Sequence, residues 1–418
     1  MHIKAILNRI QKQPGFTYGK AELVERRAGL ALHVRIHARK GSRPVCSKCM
    51  QKRPGYDSLN ARAFEFIPLW AITVLFLYAP RRADCPRCGV TVELMPWADG
   101  KSGVTTTYAW FLSSWAKSLS WSETARRFRT SWQTVFRSVA MAVEWGRSHA
   151  SYAGITSIGV DEIAWKKGHK YLTVVYQIDH GTKRLLWIGR DRTMATFNGF
   201  FDWLGKERIT SIRFIASDMW RAFLTVSAKR APTAMRILDR FHVAGLFSKA
   251  IEKVRRDEVI ELRRKGHAPT LTKTRWVLLK RTHNLTENQR GRLSELLRVN
   301  LRTVRAYLLK EDFHPFWGYI RASRAARFLD RWTAETMRSR IEPMKRVART
   351  LRTHQPLLMN WFRARGAFSH GATEGLNNKA RVTTRRAYGF RTPGHAEIAL
   401  FHTLGALPEP GWLAHRFW

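Results

Sequence analysis

The chain has 418 residues, with 74 Lys and Arg against 31 Asp and Glu, a formal net charge of +43. Its hydrophobic content of 44% suits packed cores and excludes general disorder. No apolar run reaches the roughly 18 residues of a membrane span, and the start lacks the apolar core of a secretory signal. The expectation is a cytoplasmic protein of about two to four domains. Its basic residues are spread over the whole length, which predicts an extensive groove for a polyanion rather than one arm. Nucleic acid is the natural partner, through phosphate neutralisation. Ribosomal or membrane-surface association is the alternative.

Residues 1–100 read as a β-rich module stapled by metal. All four cysteines lie here, as Cys46-Ser-Lys-Cys49 and Cys85-Pro-Arg-Cys88. Two such pairs can give four thiolates to one tetrahedral Zn²⁺, and four thiolates leave no open position, so the ion is structural. The alternative is free thiols or a disulfide pair. Strand signals at 63–68 and 72–78 predict a hairpin between the two pairs. Residues 101–150 predict three helices, over 107–116, 119–128 and 132–143. A short helix, a tight turn and a longer helix make a helix-turn-helix, whose last helix presents Ser131, Gln133, Thr134 and Arg137 to DNA. A plain three-helix packing unit is the other reading.

Residues 151–242 carry five strand signals. Three of them, at 157–162, 171–178 and 184–189, are separated by Gly-containing turns and predict an antiparallel meander. The basic turn of this meander is Lys166-Lys167-Gly168-His169-Lys170. Asp161 stands where the first apolar run stops. A helix over 193–204 follows, then strands at 211–218 and 234–239, with Asp218 and Asp239 at their carboxyl ends. Two aspartates at strand ends can meet across a sheet and bind a divalent metal. Glu162 points to the opposite face if its strand continues, which suits a supporting role. Asp239 and His242 are supporting or capping candidates, and Asp179 and Asp191 are turn residues.

Residues 243–368 predict a basic, mostly helical block. Residues 369–418 begin with a capped helix start at Ser369, and place Glu374, Asn377, Asn378 and Arg381 on one face by their spacing. Glu374 is the third acidic candidate. Thr383 to Arg391 reads as a basic, aromatic loop in which Arg385, Arg386 and Tyr388 hold a DNA backbone.

These motifs, in this order, resemble the transposases of the ISL3 family of bacterial insertion sequences. The resemblance rests on the paired cysteines, the helix-turn-helix, Gly159-Val-Asp161-Glu162, Ser217-Asp218, Asp239-Arg-Phe-His242, Gly371-Ala-Thr-Glu374-Gly-Leu-Asn377-Asn378-Lys379, and the closing Arg-Arg-Ala-Tyr-Gly-Phe-Arg. It covers nearly the whole chain. It implies an α/β architecture: an RNase H-like catalytic domain with a helical insertion, preceded by the zinc-binding β module and the helix-turn-helix domain. The catalytic triad it implies is Asp161, Asp218 and Glu374. Phosphodiester transfer by three acids calls for two Mg²⁺ or Mn²⁺ ions. Asn377, Lys379 and Arg381 join the expected DNA contacts. The implied activity is cleavage of double-stranded DNA at the terminal inverted repeats followed by strand transfer, by a homodimer or larger assembly at the bacterial nucleoid. A non-catalytic DNA-binding regulator and a structure-specific nuclease on the same scaffold are the rival readings. A zinc deaminase, suggested by His395-Ala-Glu397, is rejected because its elements come in the reverse order.

Overall fold

The computed structural model describes residues 3–27, 29–166, 168, 170–267, 270–280, 282–364 and 371–413. The expected turn residues Lys167 and His169 and the expected cap Ser369 lie outside the described residues. A short helix, α1 (Ile3–Ile10), precedes seven strands: β1 (Phe16–Arg26), β2 (Gly29–Ala38), β3 (Gly55–Ser58), β4 (Arg62–Leu69), β5 (Ile72–Tyr78), β6 (Arg81–Cys85) and β7 (Gly89–Val92). They form two sheets, ordered β1-β2-β5-β4 and β3-β6-β7. Strand alternation builds the core of the first. Phe64 and Phe66 on β4, Val74, Phe76 and Tyr78 on β5, and Phe16 and Tyr18 on β1 all turn inward. Trp97 closes this core edge-on to Phe16 at 4.8 Å and to Tyr78 at 5.2 Å. Each such side chain contributes roughly 1.5–3 kcal/mol by burial. The predicted hairpin is present as β4–β5, but it belongs to the four-stranded sheet. The cysteines hang on the smaller sheet and its neighbouring loop.

Three helices follow: α2 (Thr106–Trp115), α3 (Trp121–Arg127) and α4 (Trp132–His149). Their starts are written in the sequence. Thr105, Ser120 and Ser131 each accept a backbone N–H from the first turn, and Ser120 forms a capping box with Glu123. The last helix runs beyond the predicted 143. Its apolar face continues to Gly146, where a Cβ would come 2.7 Å from Leu407.

The second half of the chain is built on a five-stranded sheet of order β10-β9-β8-β11-β12. Its strands are β8 (Ser157–Lys166), β9 (Lys170–Ile178), β10 (Lys183–Arg190), β11 (Phe214–Ser217) and β12 (Met235–Leu238). The first three form the predicted antiparallel meander. β11 then pairs in parallel with β8, and β12 in parallel with β11. One face packs Ile158, Val160, Val175 and Leu186 against Phe197, Phe200 and Phe201 of α5 (Met194–Leu204) and Phe223 of α7 (Arg221–Arg230), with α6 (Lys206–Thr210) between these helices. The opposite face, through Val174, Tyr176 and Leu185, shares a core with α15 (Ala372–Arg386) and α16 (Pro393–Leu404).

Between β12 and α15 lies the predicted helical block: α8 (Arg240–Arg264), α9 (Arg275–Leu279), α10 (Glu287–Leu297), α11 (Arg302–Phe313), α12 (Ala322–Arg338), α13 (Glu342–Thr353) and α14 (Gln355–Arg363). Phe247, Phe313, Phe316 and Trp332 pack in its interior. The buried Glu258 carboxylate fixes the start of α11 by accepting the N–H groups of Arg302 and Thr303, each at 2.8 Å. The block returns to the sheet where α14 lies along β12 and Asn360 donates to the Arg236 carbonyl at 2.9 Å.

The predicted loop over 383–391 needs correction. Helix α15 continues through Arg386, and the chain turns only at Tyr388 and Gly389, both with positive φ. Thr383 is buried, with its hydroxyl 3.2 Å from that of Thr403. Arg386 donates to the carbonyls of Lys117 and Ser118 at 2.8 and 3.1 Å. These contacts extend the helix past the point where local sequence predicts a loop.

Candidate functional site

Register places the acidic residues. β11 is paired with β8 as far as Ala216 opposite Gly159, and with β12 as far as Ser217 opposite Leu238. One and two residues further on, Asp161, Asp218 and Asp239 stand level on three adjacent strands. Asp161 is not at the end of its strand, because β8 continues to Lys166 alongside β9. It lies just past the point where pairing with β11 stops.

Asp161 is only 7% exposed and faces α15. Its Oδ2 accepts from the Asn377 amide, and its Oδ1 accepts from the Glu162 backbone N–H at 2.7 Å. The Asn377 carbonyl oxygen in turn accepts from the Tyr176 hydroxyl at 2.9 Å. Two residues before Asp161, on the same face, a Cβ at Gly159 would fall 2.3 Å from the Thr373 hydroxyl. The glycine therefore lets α15 approach closely enough for Asn377 to reach Asp161.

The other groups converge from the strand ends. Asp218 accepts from the Trp220 N–H at 2.9 Å, and its second oxygen is 3.6 Å from Arg192. Arg192 also pairs with Glu162 and lies over the Trp220 ring at 4.4 Å. Asp239 caps α8 by accepting from Phe241 at 2.9 Å. His242 lies 3.6 Å from Asp239 and 4.0 Å from Asp161.

Electrostatics follow from this crowding. Burial pushes the Asp161 carboxyl up, and the Asp218 charge adds to that, while His242, the Glu162 N–H and Asn377 oppose it. The nearby Asp239 carboxylate, helped by Asp161 and Asp218, lifts His242 to about 9, which favours its charged form. Burial also raises Glu162, against the pull of Arg192. Glu162 thus supports the row through Arg192. The row is a place where anionic oxygens are packed together and cations gather. Such hard oxygen donors suit Mg²⁺ or Mn²⁺.

Glu374 occupies the first turn of α15, one turn before Asn377. Its carboxylate accepts from Arg381 at 3.3 Å, and Arg381 also donates to Asn378 at 2.8 Å. The structure therefore brings Asp161, Asp218, Asp239 and His242 together, and puts Glu374 on the helix that docks against Asp161 with its carboxylate turned to Arg381.

The expected DNA contacts divide. Gln133 and Arg137 are exposed on α4, whereas the Ser131 and Thr134 hydroxyls bond each other at 2.9 Å and Ser131 caps the helix. Lys379, Arg381, Arg385 and Tyr388 are exposed, and Arg386 is half-buried in its bonds to the 117–118 turn. Asn377 is a correction. It is 2% exposed and bonded to Asp161 and Tyr176, so it faces the acidic row and not a DNA backbone.

Among the described residues, Cys46, Cys49, Cys85 and Cys88 are the only group of three or more His, Cys, Asp or Glu whose ligand atoms all lie within 4.8 Å of one another. Cys49 and Cys85 are 3.6 Å apart. Backbone N–H groups, that of Cys49 first, and the Thr91 hydroxyl at 3.2 Å bring Cys46 down to about 6. Burial and the neighbouring sulfurs push Cys88 up to about 11. Four sulfurs this close cannot all ionise without a cation among them, and their number and spacing suit a metal ion.

A family model described as a transposase, of the ISL3 type, matches residues 158–399. The chain belongs to the ISL3 transposase family. It is 30% identical over 407 residues to the transposase for insertion sequence element IS1557 of Mycobacterium tuberculosis, covering 89% of this chain and 88% of that one. It is 29% identical over 350 residues to the transposase for IS1001 of Bordetella parapertussis, covering 83% and 85%. The transposase match spans the acidic row and α15, and the alignments with these relatives extend into the N-terminal half. Among the described residues no helix is long and apolar enough to cross a membrane. Two participants were not legible from sequence. Arg192 sits in a turn that local pattern marks only as a loop, and Tyr176 reads as one more core aromatic of β9.

Proposed function

We propose that this transposase binds the terminal inverted repeats of its insertion sequence and cuts and joins DNA at the aspartate row, with Asp161, Asp218 and Glu374 as its catalytic acids. The observation that carries this reading is the register: Asp161 and Asp218 stand level on adjacent parallel strands, and the helix bearing Glu374 is docked on Asp161 through Asn377. A meander followed by two parallel strands, with helices on both faces, supports an RNase H-like catalytic domain over 151–242 and 369–418, interrupted by the helical insertion at 243–368. The paired caps on α3 and α4 support a helix-turn-helix over 101–150, with Gln133 and Arg137 on DNA. The cysteine quartet supports one structural Zn²⁺ in 1–100.

Asp161, Asp218 and Glu374 would hold two Mg²⁺ or Mn²⁺ ions, which when bound activate the attacking oxygen and stabilise the leaving one. Asn377 and the Glu162 N–H orient the Asp161 carboxylate, and the Trp220 N–H and Arg192 orient Asp218. Glu374 leaves Arg381 to join them, which frees Arg381 for a phosphate. Lys379, Arg385 and Tyr388 hold the strand along α15 and its following turn. In the first reaction water attacks the phosphorus at the element's end, the bond to the 3′ oxygen breaks, and a 3′-hydroxyl is released. In the second that hydroxyl attacks a target phosphodiester, forming one P–O bond as another breaks. Two ends must be handled together, so a homodimer or larger assembly at the nucleoid is part of the reading.

The test is a Mg²⁺- or Mn²⁺-dependent cleavage and strand-transfer assay on DNA carrying the element's own ends, with wild type beside Asp218→Ala. Joined product from wild type alone is expected. Cleavage without joining makes the protein a nuclease on this scaffold, and tight end binding with neither product makes it a regulator.

A further inference from the structure

The four-stranded N-terminal sheet ends in two hairpin tips standing side by side. Arg26 pairs with Gly29 across one tip, and Leu69 with Ile72 across the other. β2 and β5 run parallel, with Ala31 opposite Thr73, so both tips leave the sheet at the same end. The second tip is a two-residue turn, Trp70–Ala71, and both residues are left-handed, with φ of 48° and 63°. Asn-Gly or Gly-Gly ordinarily fills such a turn, because a Cβ is strained there. This sequence puts its bulkiest side chain in the strained position and leaves it 87% exposed. The strain is not offset by packing within the chain, which points to a contact made outside it. Arg26 and Arg27 are exposed on the adjacent tip, next to the exposed Glu25.

We infer that this sheet end is a DNA-contact surface, with Arg26 and Arg27 on phosphates and the Trp70 indole against the sugar and base edges of the duplex. Duplex DNA is the occupant that the family's substrate and the charge of +43 supply. An indole flanked by guanidiniums can hold a polyanion and then gain from aromatic contact with it. The surface stands on family membership and on the tip's own geometry, not on the assignment of the catalytic acids, and it is separate from both the aspartate row and the cysteines.

The test uses the full-length, zinc-loaded protein, a duplex of the element's end and a scrambled duplex of the same length. Binding is followed by anisotropy at several salt concentrations, thermal unfolding by calorimetry and assembly by sedimentation. Trp70→Asn relieves the turn and removes the indole. It is expected to raise the unfolding temperature while weakening end binding about tenfold, within the range of one aromatic–base contact. Ala71→Gly relieves strain and keeps the indole, so it raises the unfolding temperature and leaves affinity unchanged. Arg26→Ala with Arg27→Ala lowers affinity and flattens its salt dependence. A Trp70→Asn protein that binds DNA as wild type overturns the inference. So does one that loses stability and affinity together, which would make Trp70 structural. Loss of self-association in Trp70→Asn with DNA affinity intact also overturns it, because the tip would then belong to a second copy.

Discussion

The cysteine quartet and the aspartate row are assembled in opposite ways. The thiols come from two short pairs, one on the small sheet and one on its neighbouring loop, and lie within 4.8 Å of one another. The acidic row takes Asp161, Asp218 and Asp239 from three strands and Asn377 from a helix near the end of the chain, and its third expected acid is still turned to Arg381. The thiol cluster can hold an ion and add stability, but it has no room for a substrate. The acidic row, with its burial-raised Asp161 and with His242 held between Asp239 and Asp161, depends on the whole fold for its shape.

The strongest way to break this contrast is Asp161→Asn. It is nearly isosteric and removes one anionic ligand from the row. Cleavage and joining are expected to fall about a thousandfold, about 4 kcal/mol of barrier, with end binding kept. Retained strand cleavage would take Asp161 out of the chemistry. Cys46→Ser tests the other cluster. It should cost the protein the one zinc ion proposed for the quartet, measured by elemental analysis, and unfold the N-terminal module first. The expected loss is several kcal/mol, each worth about 4–8 °C in a module of this size. A Cys46→Ser protein that keeps both zinc and its unfolding profile would show that the quartet is not a metal site.

The two clusters also differ in how legible they are. Paired cysteines announce themselves, because the chemistry needs all four ligands and the spacing is local. The strands of the row are equally readable: β-branched runs broken by Gly-containing turns gave β8, β9 and β10. What local pattern cannot supply is which face a residue meets. Helical spacing groups Asn377 with Glu374 and Arg381, yet Gly159 lets α15 sink far enough that Asn377 turns inward while its neighbours stay outside. Arg192 and Tyr176 join the row only through tertiary contact. The continuation of α15 to Arg386 depends on carbonyls of the 117–118 turn, far away in sequence.

Asn377→Ala sharpens the point with a smaller effect. It removes the amide that orients Asp161 and leaves the Tyr176 hydroxyl unpaired. Activity should fall about 10–100-fold at saturating metal, with a larger loss at limiting metal. An unchanged metal dependence would reduce Asn377 to packing.

The mildest prediction concerns the seam between the helices at 106–149 and the C-terminal helices. His402 is half-buried with its ring 3.0 Å from the Ser113 hydroxyl, and desolvation, with Lys117 and Arg386 nearby, brings its pKa down to about 3. The unfolded chain therefore binds this proton first. Stability is fully present above the ordinary His pKa near 6.5 and declines as pH falls from there toward about 3, by at most about 1.4 kcal/mol per pH unit. Denaturant unfolding between pH 7 and 5 should show this slope in wild type and lose it in His402→Gln.

The most direct test of the central claim is a count of Mn²⁺ per chain, by electron paramagnetic resonance, in zinc-loaded protein bound to an end duplex. Two ions are expected in wild type. Fewer are expected in Asp218→Asn, with the zinc content of both proteins unchanged. An equal Mn²⁺ count in the two proteins would contradict the assignment of the aspartate row as the metal-holding, DNA-cutting centre.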